Sequence, residues 1–261
     1  MQAMQADKRG YDVAMRYEVV LFDLYGTLID IHTDEQAAKP WQELWEFLDA
    51  TGAHYDDAAH LKASFDQLNA VNVQEARKSA QHPDWVEPDV LPVFQRLYAA
   101  GGTVASPRLA ANAAWVFRQA CTSKFRVYSG AVEMLDALKR SGRRVVLVSN
   151  AQACYTRPEL VKSGLSRVLD RILISSEEGI RKPSPLFFLR ALERELTTPD
   201  QALMVGNETE CDIKGAAAAG IDGVYLHTAI SRPDDPGVCP QAVLSLEGAD
   251  YQALTRFVLS E

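Results

Sequence analysis

The chain has 261 residues, of which 47% are hydrophobic and 24% are charged. This composition supports a sizeable buried core and excludes a wholly disordered chain. Lys and Arg total 27 against 35 Asp and Glu, so the net charge is −8, and no broad nucleic-acid-binding surface is expected. Every apolar run is too short to cross a bilayer, so no membrane partner is expected either.

Residues 1–16, which begin MQAMQADKRGYDVAM, lack the apolar stretch of a secretory signal and predict a flexible polar tail. The four cysteines are far apart, and no His lies at zinc-finger spacing from them. This pattern favours reduced thiols over disulfides or structural zinc. We therefore expect a cytoplasmic protein, with a monomer as the default state.

The first structural signal is the apolar run YEVVLFD at residues 17–23, which predicts a buried strand that ends at Asp23. From about Asp34 to Phe125, apolar residues recur instead at helical spacing. Breaks at Thr51-Gly52, His82-Pro83 and Gly101-Gly102 divide this region into four predicted helices. Together they predict a small all-helical unit.

From Gly130 onward, predicted helices and strands alternate. The strands are predicted at 144–149, 172–175, 202–206, 222–226 and 242–246, and the helices between them at 130–141, 156–163, 185–196 and 210–219, with a further helix at the C-terminus. Continuous apolar strands separated by helices predict an α/β fold with a doubly wound parallel sheet. The predicted domains are therefore a core of residues 17–30 and 128–261 and a helical insertion of residues 31–127.

Polar residues follow four of the predicted strands, and the carboxyl ends of parallel strands are where ligands bind. Each such residue has an ordinary explanation by itself, as a cap or an exposed charge. Their occurrence after successive strands predicts an active site. The residues are Asp23, Tyr25 and Thr27 after the first strand, Ser149 and Asn150 after the second, Lys182 after the third, and Asn207, Glu208 and Asp212 after the fourth.

Taken together, the segments FDLYGTL, VVLVSN, GIRKPSP and VGNETECDIKGA resemble the four motifs of the haloacid dehalogenase (HAD) superfamily of hydrolases. The helical insertion is similar in position and type to the cap domain of that family. The resemblance implies that Asp23 is a nucleophile that forms a covalent ester with the substrate. It also implies that Lys182 offsets negative charge, and that the substrate accepts hydrogen bonds from Thr27, Ser149 and Asn150.

A magnesium ion is a further implication of the resemblance. Mg²⁺ would be held by Asp23, by the backbone carbonyl of Tyr25 and by the fourth motif. Two residues depart from the family pattern. Tyr25 replaces the second Asp that protonates the leaving group in most phosphatases of the family, and Asn207 replaces a metal-binding Asp. Because Glu208 and Asp212 reproduce the shorter acidic spacing of the family, we expect these two to be the fourth-motif ligands.

Three functions are compatible with this pattern. We favour a Mg²⁺-dependent phosphatase of a small phosphorylated metabolite. A metal-independent 2-haloacid dehalogenase is the first alternative, because those enzymes also resemble this sequence in having Tyr at position 25. However, residues 29–35 contain no Arg to clamp a substrate carboxylate, and Phe188 occupies a position where they typically have Tyr. The second alternative is a protein that binds a phosphorylated ligand without turnover.

Overall fold

The computed structural model describes residues 15–231 and 234–260, so the predicted tail at residues 1–16 lies almost entirely outside the described residues. The strands are β1 (Val19–Phe22), β2 (Ile29–Thr33), β3 (Thr122–Val127), β4 (Arg144–Ser149), β5 (Arg171–Ile174), β6 (Ala202–Gly206), β7 (Asp222–His227) and β8 (Leu244–Glu247). The helices are α1 (Ala38–Ala50), α2 (Ala58–Ser79), α3 (Leu91–Ala100), α4 (Pro107–Cys121), α5 (Ala131–Arg140), α6 (Ala153–Ser163), α7 (Ser175–Glu178), α8 (Pro185–Glu195), α9 (Gly215–Ala218) and α10 (Tyr251–Ser260).

Six strands form one sheet in the order β5-β4-β1-β6-β7-β8, and every neighbouring pair in it is parallel. The predicted α/β fold with a doubly wound parallel sheet is therefore confirmed. Strand β1 is central, with Phe22 opposite Leu147 of β4 and Val205 of β6. Since the strand order reverses beside β1, the carboxyl end of this strand is the expected place for a ligand.

The sheet is buried on both faces, which explains why its strands are continuously apolar. Val20 and Phe22 of β1 face one hydrophobic cluster, which also includes residues of α5 and α10. Val19 and Leu21 face the other cluster, which contains residues of α8. The central strand is thus fixed from both sides, and the residue that follows it has little freedom to move.

Helices α1–α4 pack around a separate hydrophobic cluster. Its centre is aromatic, with the ring centres of Trp41 and Phe117 only 4.6 Å apart. Local signals define the helix starts, since Asp57 caps α2 and Ser106 caps α4 through side-chain hydrogen bonds. Among the described helices, none has both the length and the apolar character needed to cross a membrane.

The prediction that the helical region extends to Phe125 is wrong. Residues 122–127 form β3, which pairs antiparallel with β2 and links the helical unit to the sheet. Asp30 stabilises this ribbon, because its Oδ2 accepts from Lys124 and Arg126 at 2.6 and 2.7 Å. The pairing joins residues that are almost a hundred positions apart in sequence, so helical periodicity could not indicate it.

The aromatic centre of the helical unit generates a stability prediction. Phe117→Ala removes a buried ring that also packs against Phe65 and Phe94, and we expect a loss of about 3–5 kcal/mol in the free energy of unfolding. Urea denaturation measures this loss. The control is Val104→Ala at a side chain that is 90% exposed, which should change stability by less than about 0.5 kcal/mol. Equal effects of the two substitutions would contradict the packing described here.

Candidate active site

Asp23 lies immediately after the central strand and is held there by the backbone. Its N–H donates to the carbonyl of Val205 on β6 at 3.0 Å, and the residue is 8% exposed. Oδ1 of the carboxylate accepts from Nζ of Lys182 at 2.7 Å. The other oxygen, Oδ2, accepts no hydrogen bond from any residue that the structure describes. One oxygen is thus oriented while the other remains available to a substrate or a metal ion.

Lys182 lies between two carboxylates. Its side chain is 2% exposed, and Nζ donates to Oδ1 of both Asp23 and Asp212 at 2.7 Å. Burial alone would lower the pKa of this lysine, but the two carboxylates raise it above its usual range, Asp212 more than Asp23. The two carboxylates therefore favour the charged ammonium form of this side chain. The structure brings together three of the residues that the sequence placed at separate strand ends.

Asn150 fixes the backbone that carries this lysine. Its side-chain Oδ1 accepts from the N–H of Lys182 at 2.8 Å, and its Nδ2 donates to the carbonyl of Lys182 at 3.0 Å. This pair of hydrogen bonds uses both ends of the amide and positions the lysine. The predicted hydrogen bond from Asn150 to a substrate would have to use the second amide hydrogen.

The helix predicted at 210–219 is confirmed in position, and its first part, Thr209–Lys214, is a π-helical turn that continues into the short helix α9. The turn places Asp212 so that its Oδ2 accepts from the N–H of Glu208 at 2.9 Å. Burial raises the pKa of Asp212 to about 6, against the opposing effect of Lys182. A Cβ at Gly206 would lie 2.3 Å from the carboxyl group of Asp212, so this close approach requires glycine.

The amide of Asn207 packs on the loop that follows Asp23. Its Oδ1 accepts from Oγ1 of Thr27 at 3.2 Å, and both residues are buried. Gly26 has a φ of +90°, and a Cβ there would lie 2.3 Å from Nδ2 of Asn207. The hydroxyl of Thr27 therefore joins the first and fourth motifs. A hydrogen bond from this hydroxyl to the substrate stays a prediction. To form it, the hydroxyl would have to break its hydrogen bond to Asn207.

Ser149, at the end of β4, has a hydroxyl that is fully buried and without a hydrogen-bond partner among the described residues. Buried polar atoms are almost always paired, so an orphan of this kind calls for an explanation. Its strand lies beside β1 in the sheet, with Leu147 opposite Phe22. The hydroxyl is thus a spare donor at the same edge of the sheet as Asp23.

The predicted metal ligands are all oxygen atoms, which is the donor chemistry that Mg²⁺ prefers. They are the carboxylates of Asp23, Glu208 and Asp212 and the backbone carbonyl of Tyr25. The described residues contain no group of three or more His, Cys, Asp or Glu side chains arranged to hold a metal. Because Mg²⁺ keeps several waters, it does not need such a group, and Oδ2 of Asp23 is available to it. The donor chemistry of these residues suits Mg²⁺, and Asp212 already accepts from Lys182 and from the N–H of Glu208 through its two oxygens.

The phenol of Tyr25 points to helix α6. Its hydroxyl donates to Glu159 and lies 2.9 Å from Oγ1 of Thr156. Burial, and then the negative charge of Glu159, raise the pKa of Tyr25 well above its usual range. The phenol therefore stays protonated and cannot act as a general base. A catalytic role for Tyr25 stays a prediction, in which the phenol would leave Glu159.

Two residues near Tyr25, Glu159 and Arg118, were not predicted as site residues from the sequence. Glu159 of α6 pairs with Arg118 of α4, with Nε 2.7 Å from Oε1, and both side chains are buried. The available signal was that Arg118 falls on the apolar stripe of its helix. A charged residue at such a position is rarely buried unless it is paired.

A cavity of about 380 Å³ lies between the helical unit and the sheet edge. Tyr25, Asn150 and Arg118 line it, together with residues from both units that include Glu35, Thr33, Glu87, Gln152, Tyr155 and Thr156. Gln152 spans the two units, because its Nε2 donates to Oε1 of Glu87 at 2.9 Å. The cavity has the size of a small metabolite and adjoins the site through Tyr25 and Asn150, whereas Asp23, Lys182 and Asp212 are not among its lining residues.

The doubly wound parallel sheet and the Asp23–Lys182–Asp212 cluster at the ends of its strands define a hydrolase with a Rossmann-like core. The family model described as haloacid dehalogenase-like hydrolase matches residues 17–220. The chain belongs to that family, and the resemblance seen in its four motifs is confirmed.

Individual relatives extend the comparison. The chain is 34% identical to phosphoserine phosphatase of Thermus thermophilus over 157 residues, which cover 60% of this chain and 61% of that protein. It is 25% identical to phosphoglycolate phosphatase of Agrobacterium fabrum over 240 residues, which cover 91% and 90%. The chain spans only about half to three-fifths of the length of the first three curated relatives that it matches.

Among solved structures, 2-haloacid dehalogenase of Pseudomonas syringae pv. Tomato DC3000 superposes with a TM-score of 0.62. The superposition covers 94% of this chain and 98% of the dehalogenase, at 20% sequence identity. At that identity the likeness concerns the fold alone. It does not distinguish a dehalogenase from a phosphatase.

The central ammonium generates a prediction for Lys182→Met. This substitution leaves the buried carboxylates of Asp23 and Asp212 facing each other without a cation, so the free energy of unfolding should fall by about 3–5 kcal/mol. Urea denaturation measures the loss, and the added change Asp212→Asn should recover part of it. As a control, Lys62→Met breaks an exposed pair with Asp66 and should cost less than about 1 kcal/mol. If Lys182→Met is no more harmful than this control, the central ion pairs do not have the importance assigned to them.

Proposed function

We propose that this protein is a Mg²⁺-dependent phosphatase that acts on a small phosphorylated metabolite through an aspartyl-phosphate intermediate on Asp23. The observation that carries the proposal is the position of Lys182, whose ammonium lies 2.7 Å from both Asp23 and Asp212. Two matched relatives, named phosphoserine phosphatase and phosphoglycolate phosphatase, support the same reaction class.

In the first step, a carboxylate oxygen of Asp23 attacks phosphorus, and the bond from phosphorus to the leaving oxygen breaks. Lys182 holds the other carboxylate oxygen and stabilises the negative charge that builds up on the phosphoryl group. The unpaired hydroxyl of Ser149 donates a hydrogen bond to a phosphoryl oxygen. Mg²⁺, when held by Asp23, the carbonyl of Tyr25, Glu208 and Asp212, would neutralise further charge on the phosphoryl oxygens.

In the second step, water hydrolyses the aspartyl phosphate and regenerates Asp23. Tyr25 cannot activate this water, because its proton is committed to Glu159. It is an equally poor acid for the leaving group in the first step. We therefore expect slow turnover, with a strong preference for esters whose leaving group needs no proton, such as p-nitrophenyl phosphate.

The 2-haloacid dehalogenase alternative is favoured by Tyr25, since a halide leaves without a proton. The structure does bring one arginine, Arg118, to the cavity wall, although residues 29–35 contain none. However, Glu159 already neutralises this arginine, and Glu35 and Glu87 line the same cavity. Among its described lining residues the cavity therefore offers no unpaired cation to clamp the carboxylate of a haloacid, which disfavours this reaction.

Asp23→Asn tests the covalent step. We expect the rate of p-nitrophenyl phosphate hydrolysis with Mg²⁺ to fall by about 1,000-fold or more, because an amide is not a nucleophile. The control Asp66→Asn changes an exposed aspartate in the helical unit and should leave the rate unaltered. A wild-type protein that releases chloride from 2-chloropropionate without metal, and does not hydrolyse the phosphate ester, would establish the dehalogenase instead.

Asn207→Asp tests the proposed metal site. A carboxylate at this position should raise the affinity for Mg²⁺ about tenfold, because a charged oxygen replaces a neutral one. Thr27 can still donate to it. The affinity is measured by titration calorimetry with Mg²⁺ alone and by the Mg²⁺ dependence of the rate. Asn112→Asp makes the same chemical change on the exposed face of α4 and serves as the control. An unaltered affinity in Asn207→Asp would show that position 207 does not face the metal.

A further inference from the structure

A chain of three side chains, the half-buried Tyr25 and the buried Glu159 and Arg118, connects the helical unit to the nucleophile loop. Tyr25, two residues after Asp23, donates its phenolic hydrogen to Glu159. Glu159 in turn pairs with Arg118, with Nε 2.7 Å from Oε1. The carboxylate of Glu159 is 1% exposed, so these partners replace the water that it loses on burial.

Arg118 also holds the ring of Tyr25 by its face. The centre of the guanidinium lies 5.6 Å from the centre of this ring and 5.4 Å from that of Tyr155. A cation at such distances is attracted to an aromatic face. The Tyr25 side chain is thus fixed at its hydroxyl by Glu159 and at its ring by Arg118.

The three residues occupy different places relative to the cavity. Tyr25 and Arg118 line it, but Glu159 does not. Arg118 is near the end of α4, which leads directly into β3 of the connecting ribbon, whereas Glu159 belongs to α6 beside the sheet. Any effect of Glu159 on a substrate must therefore pass through another residue.

We propose that Glu159 and Arg118 are positioning residues, which hold the ring of Tyr25 as a wall of the substrate cavity and so determine how tightly the substrate binds. A phenylalanine at position 25 would pack in the same space, so packing alone does not account for the hydroxyl. That hydroxyl contacts only Thr156 and Glu159 among the described side chains. The kinetic part of this inference rests on the proposed phosphatase function.

The test is a double-mutant cycle of Tyr25→Phe and Glu159→Gln, with p-nitrophenyl phosphate and Mg²⁺. Each single change should raise KM about fivefold and alter kcat by less than about twofold, because the ring wall loosens while Asp23 and Lys182 keep their contacts. The double variant should have a KM close to that of either single variant. The control Glu177→Gln breaks an exposed pair with Arg157 of α6 and should leave KM unaltered.

Two kinetic results would overturn the proposal. One is a double variant whose KM increase is the product of the two single increases, since the residues would then act independently. The other is a folded Glu159→Gln protein with wild-type KM. If Glu159→Gln does not fold, Thr156→Val removes the other partner of the phenol without a buried charge, and the same cycle is run with it.

A spectroscopic measurement separates this proposal from the proposed function. In protein labelled with ¹³C-tyrosine, the signal of Tyr25 is identified by its absence in Tyr25→Phe. It should shift in Glu159→Gln and Thr156→Val and stay in place in Glu177→Gln. An unmoved signal in the first two variants would refute the positioning role even in an active phosphatase. A shifted signal in a protein that hydrolyses no phosphate ester would refute the phosphatase function alone.

Discussion

One buried ammonium between two carboxylates sets the requirements for the rest of this structure. Lys182 can remain charged at 2% exposure only because Asp23 and Asp212 are both within 2.7 Å. The three residues lie in loops after different helices and strands of the sheet domain. The order and register of the strands must therefore bring these loops to the same edge of the sheet. The central position of β1, fixed from both faces, provides that order. Gly206 then allows the close approach that a larger residue would block.

The sequence predicts those parts of the fold that depend on patterns of neighbouring residues. Strands buried on both faces are continuously apolar, and helices between them show regular spacing, so the sheet domain could be predicted in its elements. Its strand order and the β2–β3 ribbon depend on contacts between distant residues, such as Asp30 and Arg126. The local pattern of residues 122–125 therefore predicts a continuation of the preceding helix. Their half-exposed strand is stabilised by its partner and not by its own pattern.

In the site, the positions of residues after the strand ends predict which side chains lie close together. They do not predict which group each side chain contacts. Asp23, Lys182 and Asp212 meet as the motifs indicate. Instead, the amide of Asn150 binds the backbone of Lys182, and the hydroxyl of Thr27 binds Asn207. These hydrogen bonds depend on how the surrounding backbone is arranged. The role of Glu159 could not be predicted, because it lies on a helix outside the four motifs. In a sequence, a single acidic residue on a helix looks like an exposed surface residue.

The two departures from the family pattern have a common electrostatic consequence. Tyr25 and Asn207 both place a neutral group where the family pattern implied by the motifs has a carboxylate, so the site carries less negative charge. The phenol is also bound into the pair of Glu159 and Arg118, which connects its position to the helical unit. A carboxylate at position 25 would leave Glu159 without its hydroxyl donor and add a second negative charge nearby. Position 25 and the Glu159–Arg118 pair between the two units are thus coupled. A substitution at position 25 alters this pair, and a substitution in the pair alters Tyr25.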